Sequence, residues 1–298
     1  MDNNKIVTEA PNIVKGSFLA LAAFFCMAVF GLLTKVALEG GSVIWVSFIA
    51  YLTGTLVLFP YVIKQGFKYL RSTRYSFLIG RAVFGTIASF CYTISIHYIP
   101  IVNGTLLFNT APIFIPLLSL LLLKDRIERN VWIAVAIGFI GIIVIIKPTE
   151  AIFTQTGNLI GIASGISLAI AYLLMKLLTG TDPGIRIIFY YLGIGTLLQV
   201  PVLYFADSLP NVESCVYAML SGILLVAAQI ALVNGYKYAT ASQIGIYQYT
   251  SVVFVGLLDW LFWNSIPTKW DLVGILLVAL AGTVIIWNGR KKIQITNH

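Results

Sequence analysis

The chain has 298 residues, 59% of them hydrophobic and only 10% charged, with a formal net charge of +8. A soluble domain carries about 25% charged residues, so this composition, with a mean hydropathy of +0.94, excludes a water-soluble globular domain and defines an integral membrane protein. The positive balance is no nucleic-acid footprint, because no basic patch interleaved with stacking aromatics lies outside the apolar runs.

Residues 1–15 are polar and read as a cytoplasmic tail. The apolar stretch that follows is longer than a signal-peptide core and precedes no small-residue cleavage site, so it reads as a retained first helix. A membrane-crossing helix takes about 20 apolar residues. Breaks at charges, prolines and polar glycine turns give ten such spans: 16–38, 43–63, 75–97, 101–123, 131–147, 157–178, 186–205, 214–236, 241–263 and 270–288. Period-2 alternation is absent and lipid tolerates no open sheet edge, which leaves helices. The fold class is therefore an all-α polytopic membrane protein, ending in a second cytoplasmic tail over 289–298.

With the amino terminus in the cytoplasm, fifteen Lys and Arg fall on or near that side, whereas only Lys147 and Lys269 flank the other. Such an asymmetry in short loops sets orientation and places both termini inside the cytoplasmic (inner) membrane.

The chain also matches itself. "GSFLALAAFFCMAVFGLLTK" (16–35) aligns with "GNLIGIASGISLAIAYLLMK" (157–176), pairing Gly16 with Gly157 and Lys35 with Lys176. Further along, Tyr98 pairs with Tyr238, Thr110 with Thr250 and Asn103 with Gln243, at an offset of 140. Two repeats follow, 16–147 and 157–288, with five spans each. An odd span number forces the second repeat to enter the membrane inverted, the plan of carriers that alternate access around a midplane site.

These features resemble the drug/metabolite transporter superfamily, in its ten-helix EamA-type form. The resemblance rests on Phe30-Gly31 followed by Lys35, on Asp125-Arg126 closing the fourth span, and on Pro112 thirteen residues earlier. In the second half Pro267 and Thr268 are kept, while Ser265 stands where the family has Glu and Val252 where it has Pro. The resemblance implies transport of small metabolites.

Polar groups inside the spans are the candidate substrate contacts, since such residues face a bundle interior or a watery cavity. Asn103 and Thr110 share one face of the fourth span; Gln243, Tyr247 and Thr250 repeat that spacing in the ninth. Asn109 and Gln248 lie beside these stripes, Gln229 stands in the eighth span, and Tyr92 and Phe108 are mid-span aromatics. Pro112 and Pro116 interrupt the fourth span, and Gly256 is the repeat counterpart of Pro116, so these three are the candidate hinge. Gly157, Gly161 and Gly165 form a close-packing face, with internal packing favoured over a dimer seam and a monomer over a dimer.

Arg81 lies in "FLIGRAVFGTIASF", roughly 9 Å into the third helix at 1.5 Å per residue. It either snorkels to anionic headgroups or faces the cavity, where it would draw carboxylate or phosphate groups. Gly80 and Gly85 beside it favour the inward face. Asp259 is the one carboxylate well inside a span and the candidate for proton coupling, with His97 a second; Lys35 and Asp259 are placed to form an outer gate or a structural pair.

Neither HExxH nor an intramembrane acidic dyad occurs, so no catalytic residue, metal site or cofactor is expected. The three cysteines form no CxxC and no paired framework. The expected function is secondary transport of a small polar metabolite, an amino acid, organic acid or similar anionic or zwitterionic solute. Multidrug export by the same fold and a non-transporting structural or regulatory subunit are the alternatives.

Overall fold

Asn12, Ser42 and Asn211 each accept a hydrogen bond from the backbone N–H three residues on, which starts three of the long helices. The computed structural model describes residues 12–99, 101–124, 127–147, 157–206, 209–263 and 268–296. Its helices are α1 (Ile13–Ala37), α2 (Val43–Gln65), α3 (Tyr75–Tyr98), α4 (Ile101–Phe108), α5 (Ala111–Leu123) and α6 (Arg129–Ile146) in the first half. The second half holds α7 (Gly157–Leu178), α8 (Gly184–Gln199), α9 (Val212–Tyr238), α10 (Ala241–Gly245), α11 (Tyr249–Trp263) and α12 (Lys269–Thr296). Among the described residues ten segments are long and apolar enough to cross a membrane, α4 with α5 and α10 with α11 each making one. Large apolar side chains such as Phe18, Leu121, Leu261 and Leu276 cover the outside, as a lipid-facing surface requires.

The halves pack through reciprocal pairs. Helix α1 lies on α9, and its counterpart α7 lies on α3; α2 meets α9 as α8 meets α3; α1 meets α11 as α7 meets α5. The self-counterpart pairs α2–α8 and α6–α12 also touch. Exchange of the halves maps this set onto itself, so a pseudo-two-fold axis relates them.

Individual residues carry the same relation. A Cβ built on Gly16 would lie 3.4 Å from the Cβ of Tyr238, and one on Gly157 would lie 2.8 Å from the Cβ of Tyr98. The start of α1 therefore sits at the end of α9, and the start of α7 at the end of α3. Because α3 ends on the face opposite to the start of α1, the halves enter the membrane from opposite sides.

The fourth and ninth spans, read from the sequence as continuous, are broken. Pro112 lacks an N–H for the Phe108 carbonyl, and α4 ends at Phe108. The ninth span breaks through a 3₁₀ turn at Ile246–Gln248, with no proline involved. Thr110 Oγ1 donates to the Leu107 carbonyl at 2.5 Å and Thr250 Oγ1 to the Tyr247 carbonyl at 2.6 Å, the same bond in both halves. Helix α5 runs on through Pro116, and α11 runs on through Gly256, around which an added Cβ would meet nothing within 4 Å.

The GxxxGxxxG face of α7 is used inside the chain. Added Cβ atoms on Gly161 and Gly165 would each come within 2.7 Å of the fourth span, at Leu107 Cδ1 and the Leu107 carbonyl respectively.

Candidate functional site

Arg81 occupies the face of α3 that carries Leu78, Ala82 and Ala88, all fully buried, and is itself 2% exposed. The guanidinium does not reach toward headgroups. Its Nη2 donates to Gln229 Oε1 of α9 at 3.2 Å, and its central carbon lies 4.0 Å from the ring centroid of Tyr191 on α8. A cation over a desolvated ring gains about 2 kcal/mol.

Glycine makes this geometry fit. A Cβ at Gly85, one turn after Arg81, would lie 2.8 Å from Tyr191 Cε2 and against the Arg81 guanidinium. Tyr191 is held in turn by Tyr51 of α2, their hydroxyls 2.6 Å apart. Gly195, one turn after Tyr191, leaves room for the Tyr51 ring, which a Cβ there would meet at 2.6 Å.

Two further buried tyrosines, Tyr172 of α7 and Tyr236 of α9, pack with ring centroids 6.2 Å apart. Among the described residues no carboxylate pairs with Arg81. Its Nε and the Tyr236 hydroxyl are buried without a hydrogen-bond partner among those residues. The result is a buried cation held by neutral groups from both halves.

A second polar contact joins the two broken spans. Gln248 Nε2 donates to Asn109 Oδ1 at 3.3 Å, and Asn109 Nδ2 donates to the Thr105 carbonyl at 3.0 Å. Gln248 Oε1 is buried without a partner among the described residues. Tyr92 and Phe108 stand together nearby in sequence, ring centroids 5.0 Å apart, with the Tyr92 hydroxyl 3.1 Å from Thr105 Oγ1.

Gln243 and Tyr247 make local and packing contacts. Gln243 closes a capping box with Thr240 at the start of α10. The Tyr247 hydroxyl donates to Ser17 Oγ at 2.7 Å and lies 3.2 Å from the Gly282 carbonyl. Asn103 is fully buried, while Lys35 is exposed in the last turn of α1. The Asp259 and His97 side chains, and Asp125, Arg126, Ser265 and Pro267, lie outside the described residues. The sequence reading left out Tyr51, Tyr172, Tyr191 and Tyr236. Tyr51 and Tyr191 had a usable signal in their 140-residue separation, which equals the repeat offset.

Both membrane faces carry a clasp between the halves. On one, Arg186 Nε donates to the Tyr69 carbonyl at 2.5 Å while Nη1 pairs with Asp182 at 2.8 Å, and the Tyr190 hydroxyl donates to the Leu70 carbonyl at 3.1 Å. On the other, the Asn211 N–H donates to the Gly40 carbonyl at 3.1 Å and Ser214 Oγ to the Ala37 carbonyl at 2.5 Å. The first joins the α2–α3 connection to the α7–α8 connection and the start of α8, and the second, its symmetry counterpart, joins the α8–α9 connection and the start of α9 to the α1–α2 connection. Among the described residues only the first holds an ion pair.

An arginine enclosed by two inverted five-helix repeats defines the architecture of a secondary carrier, and comparison with known proteins agrees. The pattern of the EamA-like transporter family matches residues 14–147 and again 155–287. The chain belongs to that family, a transporter family and not an enzyme family. It is 25% identical over 267 residues to the pseudopaline exporter CntI of Pseudomonas aeruginosa (strain UCBPP-PA14), covering 89% of this chain and 94% of the relative. It is 22% identical over 251 residues to the S-adenosylmethionine uptake transporter of Rickettsia bellii (strain RML369-C), covering 84% of this chain and 85% of that one. A solved crystal structure superposes with a TM-score of 0.79 at 17% identity, over 92% of this chain and 98% of its own, which shows the shared fold.

Proposed function

We infer that this transporter moves a small polar metabolite with a carboxylate or similar anionic group by alternating access around Arg81. The observation that carries the reading is the burial of Arg81, at 2% exposure, with one amide and one ring as its partners. A cation taken out of water without a counter-ion is costly, and an anionic solute arriving there compensates it. Groups around it come from α2, α3, α7, α8 and α9, so rocking one half against the other changes access to them from either side.

Lys and Arg gathered on one side support a cytoplasmic-membrane location with both termini inside. The relatives include one named an exporter and one named an uptake transporter, so direction follows from gradients rather than from fold. A screen of the purified protein for thermal stabilisation by amino acids, organic acids and nucleotides tests the reading, because a ligand of the native state raises its melting temperature. Stabilisation by acidic or zwitterionic solutes is expected, and stabilisation by lipophilic cations alone would overturn it. That second outcome would match multidrug export.

A further inference from the structure

The connection between α2 and α3 presents two faces. Toward the second half, the carbonyls of Tyr69 and Leu70 in the 3₁₀ turn Phe67–Leu70 accept the bonds from Arg186 and Tyr190 of α8. The Tyr69 ring centroid lies 5.2 Å from the central carbon of Arg186 and 5.8 Å from the Tyr61 ring. Away from that contact, Phe67 is 73% exposed, and Lys64, Lys68 and Arg71 are exposed beside it. With Arg74, residues 64–74 hold four cations and no acid. Among the described residues none of the four pairs with a carboxylate. Helix α3 then starts with no side-chain cap, so its first N–H groups add an anion-attracting end to the same stretch.

The counterpart in the second half is the 3₁₀ turn Pro201–Phe205, which follows α8 as the first turn follows α2. It exposes Tyr204 and Phe205, at 89% and 74%, but carries no charged residue. Exposed rings at the end of a span sit at a bilayer interface. Both turns have that aromatic anchor, and only the first adds cations at headgroup level. A soluble anion would use the cations and leave Phe67 in water. A lipid uses both, since its phosphate meets the cations and its chains cover the ring.

We propose that the α2–α3 connection binds anionic phospholipid headgroups through Lys64, Lys68 and Arg71, with Phe67 in the acyl boundary, and that lipid seated there braces the clasp to α8. Lipid on the outer face of the turn keeps the Tyr69 and Leu70 carbonyls aligned on Arg186 and Tyr190. Parting of the halves on this side then requires the turn to leave either the lipid or α8. The site is independent of which solute is carried.

Purified full-length protein is titrated with phosphatidylglycerol, phosphatidylcholine or glycerol 3-phosphate while its melting temperature is followed. Phosphatidylglycerol is expected to stabilise wild-type protein at a half-saturating concentration about ten-fold below that of phosphatidylcholine. Lys64→Gln, Lys68→Gln and Arg71→Gln together should abolish that preference, and the charge-keeping set Lys64→Arg, Lys68→Arg and Arg71→Lys should retain it. Equal action of both lipids on wild type, a preference that survives in the glutamine set, or its loss in the charge-keeping set would overturn the lipid site. Equal stabilisation by glycerol 3-phosphate would overturn it too, assigning the cations to a soluble anion. Bracing is read from hydrogen exchange of residues 179–187, across the clasp, in nanodiscs with and without phosphatidylglycerol. The Asp182 and Arg186 amides, which donate to the Leu178 and Pro183 carbonyls, should exchange several-fold more slowly with the anionic lipid in wild type and equally in the glutamine set. Identical exchange of wild type in both lipid compositions would overturn the bracing.

Discussion

The hydroxyls of Tyr51 and Tyr191 are 2.6 Å apart in space and 140 residues apart in the chain. That separation matches the offset of 140 between the later spans of the two repeats, and the bond lies between α2 and α8, a helix pair that the pseudo-two-fold axis maps onto itself. Thr55 and Thr196, 141 apart, meet at 3.3 Å in the same helix pair, and Asn109 and Gln248, 139 apart, meet between the broken spans. A pseudo-two-fold axis brings residues at or near equivalent positions face to face. What breaks the symmetry is Arg81, whose counterpart position in the second half holds the neutral Ser221.

The axial tyrosines permit a graded test. Tyr191→Phe keeps the ring under Arg81 and loses the hydroxyl bond, which is expected to cost about 1 kcal/mol of stability. Tyr191→Leu removes the ring as well and frees the guanidinium. Solute affinity should change little in the first and fall several-fold in the second, measured by ligand-dependent melting.

Gly85→Ala places a methyl 2.8 Å from Tyr191 Cε2 and against Arg81. Helix propensity alone would make this change stabilising by about 1 kcal/mol. The prediction is the opposite sign, a lower melting temperature and weaker transport, because the ring and guanidinium must separate. Gly256→Ala is the matched control, with open space around it. If Gly256 is merely a helical residue, its alanine variant transports normally, and a severe loss of rate would instead assign it a hinge role.

Arg186→Gln leaves Asp182 buried without its partner and loosens the bond to Tyr69. Removing one member of a buried pair costs about 3–5 kcal/mol. The expected outcome is faster labelling of a cysteine introduced by Ser72→Cys, in a background lacking the three native cysteines. Asn211→Ala, which strips an α9 cap on the other face, should cost only about 1 kcal/mol and leave labelling at position 72 unchanged.

Gly165→Val drives a side chain into the Leu107 carbonyl, 2.7 Å from the added Cβ. Over-packing of this kind costs about 1–3 kcal/mol. Because the partner surface lies within the same chain, the folded fraction should elute from size exclusion at the wild-type position. A shift to a smaller species would show that the glycine face is a seam between copies.

Span count, repeat and inversion were legible because hydropathy, length and the Gly16/Gly157 and Lys35/Lys176 pairs act over long stretches. Arg81 and Gln229 could be picked out as polar groups lipid would reject. The polar stripes were harder. Thr110 and Thr250 spend their hydroxyls on carbonyls three residues back, and Gln243 caps its own helix, bonds that spacing alone does not distinguish from a cavity lining. Proline frees the carbonyl four residues upstream, so the first break lies before Pro112, and the second uses a 3₁₀ turn with no proline to announce it. The tyrosines around Arg81 escaped notice because an aromatic in an apolar run reads first as core filling.

Initial uptake into proteoliposomes, with wild-type protein, Arg81→Gln and Arg81→Lys reconstituted at equal density, probes the account where it is most exposed. An acid identified by the melting screen should enter wild-type vesicles, more than ten-fold more slowly those with the Gln variant, and at an intermediate rate those with Lys, which keeps charge but loses the planar fork. Equal rates in all three would mean that the one buried guanidinium of the third span plays no part in recognising what this carrier moves.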